Sequence, residues 1–130
     1  MKYQLVFIGF GEASYNIALG LKSEGFESMA AYDVFAEDPK RGELIQSRAQ
    51  EAGIPLIGLE EACSEGACIA SMNSAKVALS VAKDIIPRLK AGQIFVDLNS
   101  VAPTVEEEID RIPRAPVSYT HLTLPTIYSV

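Results

Sequence analysis

Three small residues near the start of the chain have the types and spacing of a phosphate-binding turn. Gly9, Gly11 and Ser14 hold the three positions of the pattern G-x-G-x-x-G, in which one residue without Cβ makes a tight turn and a second lets backbone N–H groups approach a diphosphate. A small third residue lets helix and strand pack closely, and the diphosphate lies at the positive end of that helix. Taken alone, the pattern also fits an ordinary glycine turn. The predicted dinucleotide site comprises Gly9, Phe10, Gly11, Glu12, Ala13 and Ser14.

An acidic residue after the second apolar run supports the dinucleotide interpretation. Asp33 follows the run 29–32 and lies twenty-two positions after Gly11, close to the spacing of about 20 residues expected for the acid that binds the adenosine ribose. Its carboxylate would accept hydrogen bonds from both ribose hydroxyls and repel a 2′-phosphate, so the cofactor is NAD or NADP, with NAD favoured. Lys40 and Arg41 could still accommodate a 2′-phosphate, and Asp33 could instead cap its own loop.

Polar residues also follow two later apolar runs. Asn73 and Ser74 end one run, and Asn99 and Ser100 follow the next. We expect Met72, Asn73 and Ser100 to contact the cofactor. Asn99 and Ser100 lie nearest the expected nicotinamide and would contact a substrate. Each pair is also compatible with a turn followed by a helix N-cap.

The sequence offers no set of residues for nucleophilic or metal chemistry. His121 is the only histidine, and Cys63 and Cys68 have neither a nearby histidine nor a second cysteine pair. We therefore predict no catalytic residue and no metal site in this chain, with both thiols reduced.

Length and charge narrow the classes of function. The 130 residues suffice for one domain with a core but not for two. A formal net charge of −6 with scattered basic residues argues against a nucleic-acid-binding surface, which needs clustered Lys and Arg. No apolar run approaches the roughly 20 residues of a membrane span, and no secretory signal precedes the first strand. We expect a cytoplasmic protein without nucleic-acid or membrane partners.

Strands and helices alternate along the chain. Predicted strands cover residues 4–8, 29–33, 55–57, 67–72 and 93–98, and predicted helices cover 12–24, 40–52, 59–64, 75–89 and 103–112. Along the first helix, the spacing of Ala13, Ile17 and Leu21 predicts the buried face. The alternation predicts the α/β class, as a doubly wound parallel sheet of Rossmann type with strand order 3-2-1-4-5 and a cleft between its first and fourth strands.

Two motifs together resemble the β-hydroxyacid dehydrogenase family, which includes 6-phosphogluconate dehydrogenase and 3-hydroxyisobutyrate dehydrogenase. In FIGFGEAS, Gly9 and Gly11 match the family's G-x-G-x-M-G loop, while the last two positions carry Ala and Ser. In FVDLNSVAPT, Asp97, Ser100 and Pro103 correspond to the family's D-x-S-T-x-x-P motif, in which Asn99 replaces the serine. The resemblance covers about residues 2–112.

The resemblance implies oxidation of a β-hydroxyacid with hydride transfer to nicotinamide, assisted by a lysine general acid/base. In the family that lysine and an all-helical, dimer-forming domain follow the region matched here. We therefore expect residues 1–114 to be the NAD(P)-binding Rossmann domain of a homodimeric oxidoreductase, present as a fragment that lacks the lysine and is inactive by itself. Small-molecule hydroxyacids would be substrates of the full-length parent.

Composition changes abruptly at the end of the chain. Residues 115–130 contain no Asp, Glu, Lys or Arg but three of the chain's four threonines. The segment 117–130 resembles a translated sequencing adapter, so we predict that 115–130 is a non-native tail. A genuine Thr-rich edge strand is the alternative.

Two other functions fit parts of the sequence. A nucleotide-sensing module without catalysis would bind the cofactor equally well and present a partner surface on the open sheet edge. A different Rossmann enzyme, such as a methyltransferase, would carry an acid ahead of the glycine loop, where this chain has Val6, Phe7 and Ile8.

Overall fold

The computed structural model describes residues 1–99, 103–113 and 118–121. Five strands occur in this part of the chain: β1 Tyr3–Ile8, β2 Met29–Tyr32, β3 Gly66–Ser71, β4 Ile94–Asp97 and β5 Ser118–His121. The helices are α1 Glu12–Ser23, α2 Gly42–Ala52, α3 Leu59–Glu65, α4 Ala75–Ile85 and α5 Pro103–Asp110, with a 3-10 turn over Ile86–Arg88. In the described part of the chain, no helix is long and apolar enough to cross a bilayer.

All five strands pair in parallel, in the order β2-β1-β3-β4-β5. At the centre of the sheet, Phe7 of β1 lies opposite Ala31 of β2 and Ala70 of β3. The predicted α/β class with a parallel sheet is therefore confirmed. The carboxyl ends of β1, β2, β3 and β4 point toward one edge, where their loops meet.

The predicted strand order 3-2-1-4-5 is wrong, because residues 55–57 do not form a strand. They make one isolated bridge, in which Leu56 lies opposite Ala31. Ala31 donates its N–H to the Pro55 carbonyl at 3.0 Å and accepts the Ile57 N–H at 2.8 Å. Proline has no N–H to extend this ladder, and Gly58 already begins the next helix as its N-cap. The segment is too short for more pairing.

The sheet has an apolar core on each face because successive strand residues point to opposite sides. Val6 and Ile8 pack with residues of α3, α4 and α5, whereas Phe7 packs with residues of α1 and α2. The predicted buried face of α1 is wrong for Ala13 and Ile17, which are exposed, whereas Leu21 is half-buried against the core. The fully buried residues of that helix are Ser14 and Ala18. Close packing of α1 on the sheet selects small side chains there, which a search for large apolar residues overlooks.

Strand β5 lies in the segment predicted to be a non-native tail. Its backbone pairs with β4, so that Ser118 lies opposite Ile94 and His121 opposite Asp97. Backbone pairing over four residues depends little on the identity of their side chains, so this pairing does not test whether the segment is native. The non-native origin of 115–130 stays a prediction. The remainder of that segment, residues 115–117 and 122–130, lies outside the described residues.

Candidate functional site

The turn after β1 accepts only glycine at its first position. Gly9 has φ +93°, and a Cβ there would overlap the carbonyl oxygen of Met72 and the side chain of Asn73. Its N–H donates to the Tyr32 carbonyl at 2.8 Å. The turn is thereby held between the ends of β2 and β3.

The start of α1 is open toward solvent. Gly11 is its N-cap and provides no side-chain capping hydrogen bond, and a Cβ on Gly11 would meet no atom within 4 Å. The first hydrogen bond into the helix joins the Tyr15 N–H to the Gly11 carbonyl at 3.0 Å. Because the first N–H groups of a helix have no intrahelical acceptor, those of Glu12 and Ala13 can donate hydrogen bonds to a bound anion.

Two residues of the predicted phosphate site act through packing or backbone. Ser14 is buried, and its hydroxyl donates to the Gly9 carbonyl at 2.7 Å, so a serine is accommodated where the pattern expects glycine. The Phe10 side chain is fully buried edge-to-face against Phe7, with ring centroids 5.9 Å apart. Neither side chain lines the cleft.

Asp33 connects the glycine turn to the loop after β2. One carboxylate oxygen accepts the Phe10 N–H at 2.7 Å and the other accepts the Phe35 N–H at 2.9 Å. The residue is half-buried and lines the cleft. It therefore caps its own loop, and because a carboxylate has about four acceptor positions, it can also accept hydrogen bonds from a ligand.

Asn73 and Asn99 meet in a buried polar cluster, which comprises Ser71, Asn73, Asp97 and Asn99. The Asn73 N–H donates to Oδ1 of Asn99. Nδ2 of Asn99 donates to Oδ1 of Asp97 at 2.8 Å and to Oγ of Ser71 at 3.0 Å. Asn73 and Met72 line the cleft, whereas Asn99 is 3% exposed and does not. Ser100, predicted beside Asn99, lies outside the described residues.

These loops border one cleft of about 700 Å³, a volume within the usual range for small-molecule sites. We call the part near Asp33, Phe35 and Arg41 the β2 end, and the part near Met72 and Asn73 the β3 end. The predicted residues Gly9, Gly11, Glu12, Ala13, Asp33, Met72 and Asn73 all line it.

The sequence interpretation missed one wall of the cleft and the stack at its mouth. Val77, Val81 and Asp84 of α4 form the wall. Their helical spacing is visible in the sequence, but these residues lie beside a stronger apolar stripe of the same helix that packs into the core. At the mouth, the Arg41 guanidinium lies 4.4 Å from the centroid of the Phe35 ring.

Two acids that line the cleft also affect a tyrosine. Tyr32 lines the cleft, and its pKa is raised above the usual value by burial and then by the nearby carboxylates of Asp84 and Asp33. The Tyr32 phenol is thus neutral at physiological pH and can act as a hydrogen-bond donor.

Neither the models of known protein families nor the curated proteins match this chain. Several solved structures do. The chain is 29% identical to a conserved hypothetical protein from Sinorhizobium meliloti 1021, with a TM-score of 0.81 over 93% of this chain and 41% of that one. It is 18% identical to 3-hydroxyisobutyrate dehydrogenase from Mycobacterium tuberculosis, with a TM-score of 0.67 over 84% and 35% of the two chains.

A third similar structure is a reductive aminase from Aspergillus terreus in complex with NADPH and ethyl-5-oxohexanoate. The identity is 15% and the TM-score 0.68, over 96% of this chain and 42% of that one. The chain thus spans less than half the length of each of these three proteins. It has the parallel α/β fold of Rossmann type that the dehydrogenase and the aminase share.

Proposed function

We propose that the chain binds a nicotinamide dinucleotide in the cleft and is the cofactor-binding domain, residues 1–114, of an oxidoreductase. The observation that carries this proposal is the uncapped start of α1 beside Asp33, reached through a turn in which Gly9 is obligatory. The fold similarity to an NADPH-bound reductive aminase supports it.

The cleft residues fit such a cofactor by the chemistry of their donors and acceptors. Backbone amides of Gly11, Glu12 and Ala13 would hold the diphosphate, since no Cβ fills the space beside Gly11. Asp33 would accept hydrogen bonds from the adenosine ribose, and Met72 and Asn73 would border the nicotinamide half. When bound, the nicotinamide ring supplies a hydride acceptor or donor.

NAD is the preferred cofactor in this proposal. The carboxylate of Asp33 would repel a 2′-phosphate, and Asp84 adds a second negative charge to the same cleft. Arg41 is the basic residue among those lining the cleft, and its guanidinium is stacked on Phe35. With Glu12, three acids line the cleft against this one base, so NADPH should bind less tightly than NADH.

The reaction is the oxidation of a β-hydroxyacid, in which the carbinol carbon loses a hydride and the hydroxyl loses a proton to a base. Neither lysine nor histidine is among the described residues that line the cleft. The base, as the family resemblance implies, belongs to a further part of a homodimeric, cytoplasmic parent protein. The present chain should therefore bind cofactor without turning over substrate.

The absence of lysine and histidine from the described lining of the cleft also favours the alternative of a nucleotide-sensing module. Calorimetric titration with NADH and NADPH tests binding, and we expect saturable heat with NADH and a higher Kd for NADPH. Incubation with NAD and a panel of β-hydroxyacids tests chemistry, and we expect no increase in absorbance at the NADH band. Absence of heat with both nucleotides would refute the cofactor site, and turnover by this chain would refute its assignment as an inactive domain.

A further inference from the structure

In the polar cluster below the β3 end, both the nitrogen and the oxygen of the Asn99 side-chain amide are hydrogen-bonded to other protein groups. Both strong contacts of its nitrogen go to protein acceptors, Oδ1 of Asp97 at 2.8 Å and Oγ of Ser71 at 3.0 Å. Its oxygen accepts the backbone N–H of Asn73. An amide has two N–H donors, so Asn99 has none left for a ligand, and at 3% exposure it does not reach the cleft.

The contacts of Asn73 lead from this cluster to the glycine turn. Its Nδ2 donates to Oγ of Ser71 at 3.0 Å and to the Ile8 carbonyl at 3.2 Å. Its Oδ1 lies too close to the position of a Cβ on Gly9 for that atom to fit. Ser71 therefore holds both amides, and the orientation of Asn73 is fixed from the side of Asn99 and from the side of the turn.

The orientation of Asn99 is itself determined by Asp97. The Asp97 Oδ1 atom accepts both the side-chain nitrogen and the backbone N–H of Asn99, each at 2.8 Å. Because a carboxylate is an acceptor, the amide nitrogen must face Asp97, and the amide oxygen must face the N–H of Asn73. A buried network with this many satisfied groups holds one arrangement of its members.

We propose that Asn99 is a positioning residue, which fixes Asn73 and thereby shapes the β3 end of the cleft for the nicotinamide half of the dinucleotide. The inference rests on the proposed function and deepens it. It replaces the direct contact with substrate that the sequence motif implies for Asn99. The acting atom is Oδ1 of Asn99, which holds the backbone of Asn73.

A comparison of two ligands separates this role from a general contribution to folding. AMP carries the adenosine half alone and would occupy the β2 end, whereas NADH would occupy both ends. A positioning role at the β3 end affects NADH and leaves AMP binding intact. A loss of native structure would weaken both ligands together.

The experiment is a calorimetric titration of NADH and of AMP into the wild-type chain, Asn99→Ala and the control Asn16→Ala, which alters an exposed asparagine on α1. Losing one or two buried hydrogen bonds should weaken NADH binding by Asn99→Ala roughly fivefold to thirtyfold. Its AMP affinity and both affinities of Asn16→Ala should equal the wild-type values. Equal losses for the two ligands, or no loss for NADH, would overturn the inference.

A second variant covers the case in which Asn99→Ala does not fold. Ser71→Ala removes the hydroxyl that accepts both amides, and its smaller change of volume disturbs the core less. It should show the same selective loss of NADH affinity, and unchanged NADH binding would contradict the proposal. If the wild-type chain binds AMP and NADH but the variants show no selective loss of NADH affinity, the role of Asn99 is refuted and the proposed function stands. If the wild-type chain binds neither ligand, the proposed function itself is refuted.

Discussion

At the β2 end of the cleft, the Asp33 carboxylate accepts hydrogen bonds from two backbone amides, that of Phe35 two residues along the chain and that of Phe10 in the turn after β1, 23 residues away. At the β3 end, Asn99 instead holds Ser71 and Asn73, which lie on a different strand end 28 and 26 residues away. The first end depends on one charged acceptor, which caps its own loop and also joins that loop to the turn after β1. The second depends on a buried network of two amides, the Ser71 hydroxyl and the Asp97 carboxylate, so its geometry requires that β3 and β4 are already paired.

The largest effect should come from the glycine turn that joins both ends. Gly9→Ala forces a residue with φ near +93° into contact with Met72 and Asn73, so we expect the free energy of unfolding to fall by about 2–4 kcal/mol. Urea unfolding measures this loss, and NADH titration should show no binding.

Gly11→Ala is the matched control, because its Cβ would meet no protein atom and its φ is −83°. Its free energy of unfolding should change by less than about 1 kcal/mol, because the entropy lost by the unfolded chain is offset by the lower preference for Ala than for Gly at an N-cap. NADH binding should nevertheless weaken about tenfold, equivalent to about 1.4 kcal/mol, since the methyl group occupies the diphosphate position. An unaltered NADH affinity would place the diphosphate elsewhere.

Substitution of Asp33 should weaken every ligand that contains adenosine. Asp33→Ala removes a charged acceptor from two amides, so the free energy of unfolding should fall by about 1.5–3 kcal/mol. AMP and NADH should both bind more weakly by calorimetry, and the preference for NADH over NADPH should shrink. Asp38→Ala provides the comparison, because Asp38 also caps backbone amides of this loop but is not among the residues lining the cleft. A change of cofactor preference in Asp38→Ala would argue against the role of Asp33.

At the β3 end, Asn73→Ala should produce a smaller and more selective effect. It removes two hydrogen bonds, to Ser71 and to the Ile8 carbonyl, and we expect NADH to bind about fivefold more weakly with AMP unchanged. Titration of both ligands gives the answer. Equal weakening of AMP would mean that the two ends of the cleft are not independent.

The smallest expected effect is on the pH dependence of stability, through the thiol of a cysteine in the core. Burial raises the pKa of the Cys63 thiol from 9.0 to about 11, so the folded state keeps the neutral thiol while the unfolded chain ionises. The resulting stability is present below pH 9 and is lost as the pH rises to about 11. Urea unfolding between these pH values should show a decline that is shallower in Cys63→Ala. An identical decline in the two proteins would contradict this cause.

The sequence predicted the β2 end better than the β3 end, for a physical reason. Gly9 and Gly11 act through backbone conformation and Asp33 caps its own loop, which leaves a pattern in neighbouring residues, whereas the hydrogen bond from Phe10 to Asp33 leaves none. The burial of Asn99 depends on the pairing of β3 with β4, and no local pattern distinguishes a buried amide from one that contacts substrate.

The errors in the fold have the same origin. The segment 55–57 is predicted as a strand but makes a single bridge, at Leu56, since Pro55 cannot donate a backbone hydrogen bond. The stack of Arg41 on Phe35 depends on how the loop after β2 folds back. In each case the outcome is decided by residues that meet only in the folded chain.

The most direct test of the central claim is a titration of the 15N-labelled chain with NADH, followed by amide chemical shifts. The proposed site predicts the largest shifts at the amides of Gly11, Glu12 and Ala13, because the diphosphate would accept hydrogen bonds from them. Saturable binding with these three amides unmoved would contradict the account, and so would the absence of any shift at millimolar NADH.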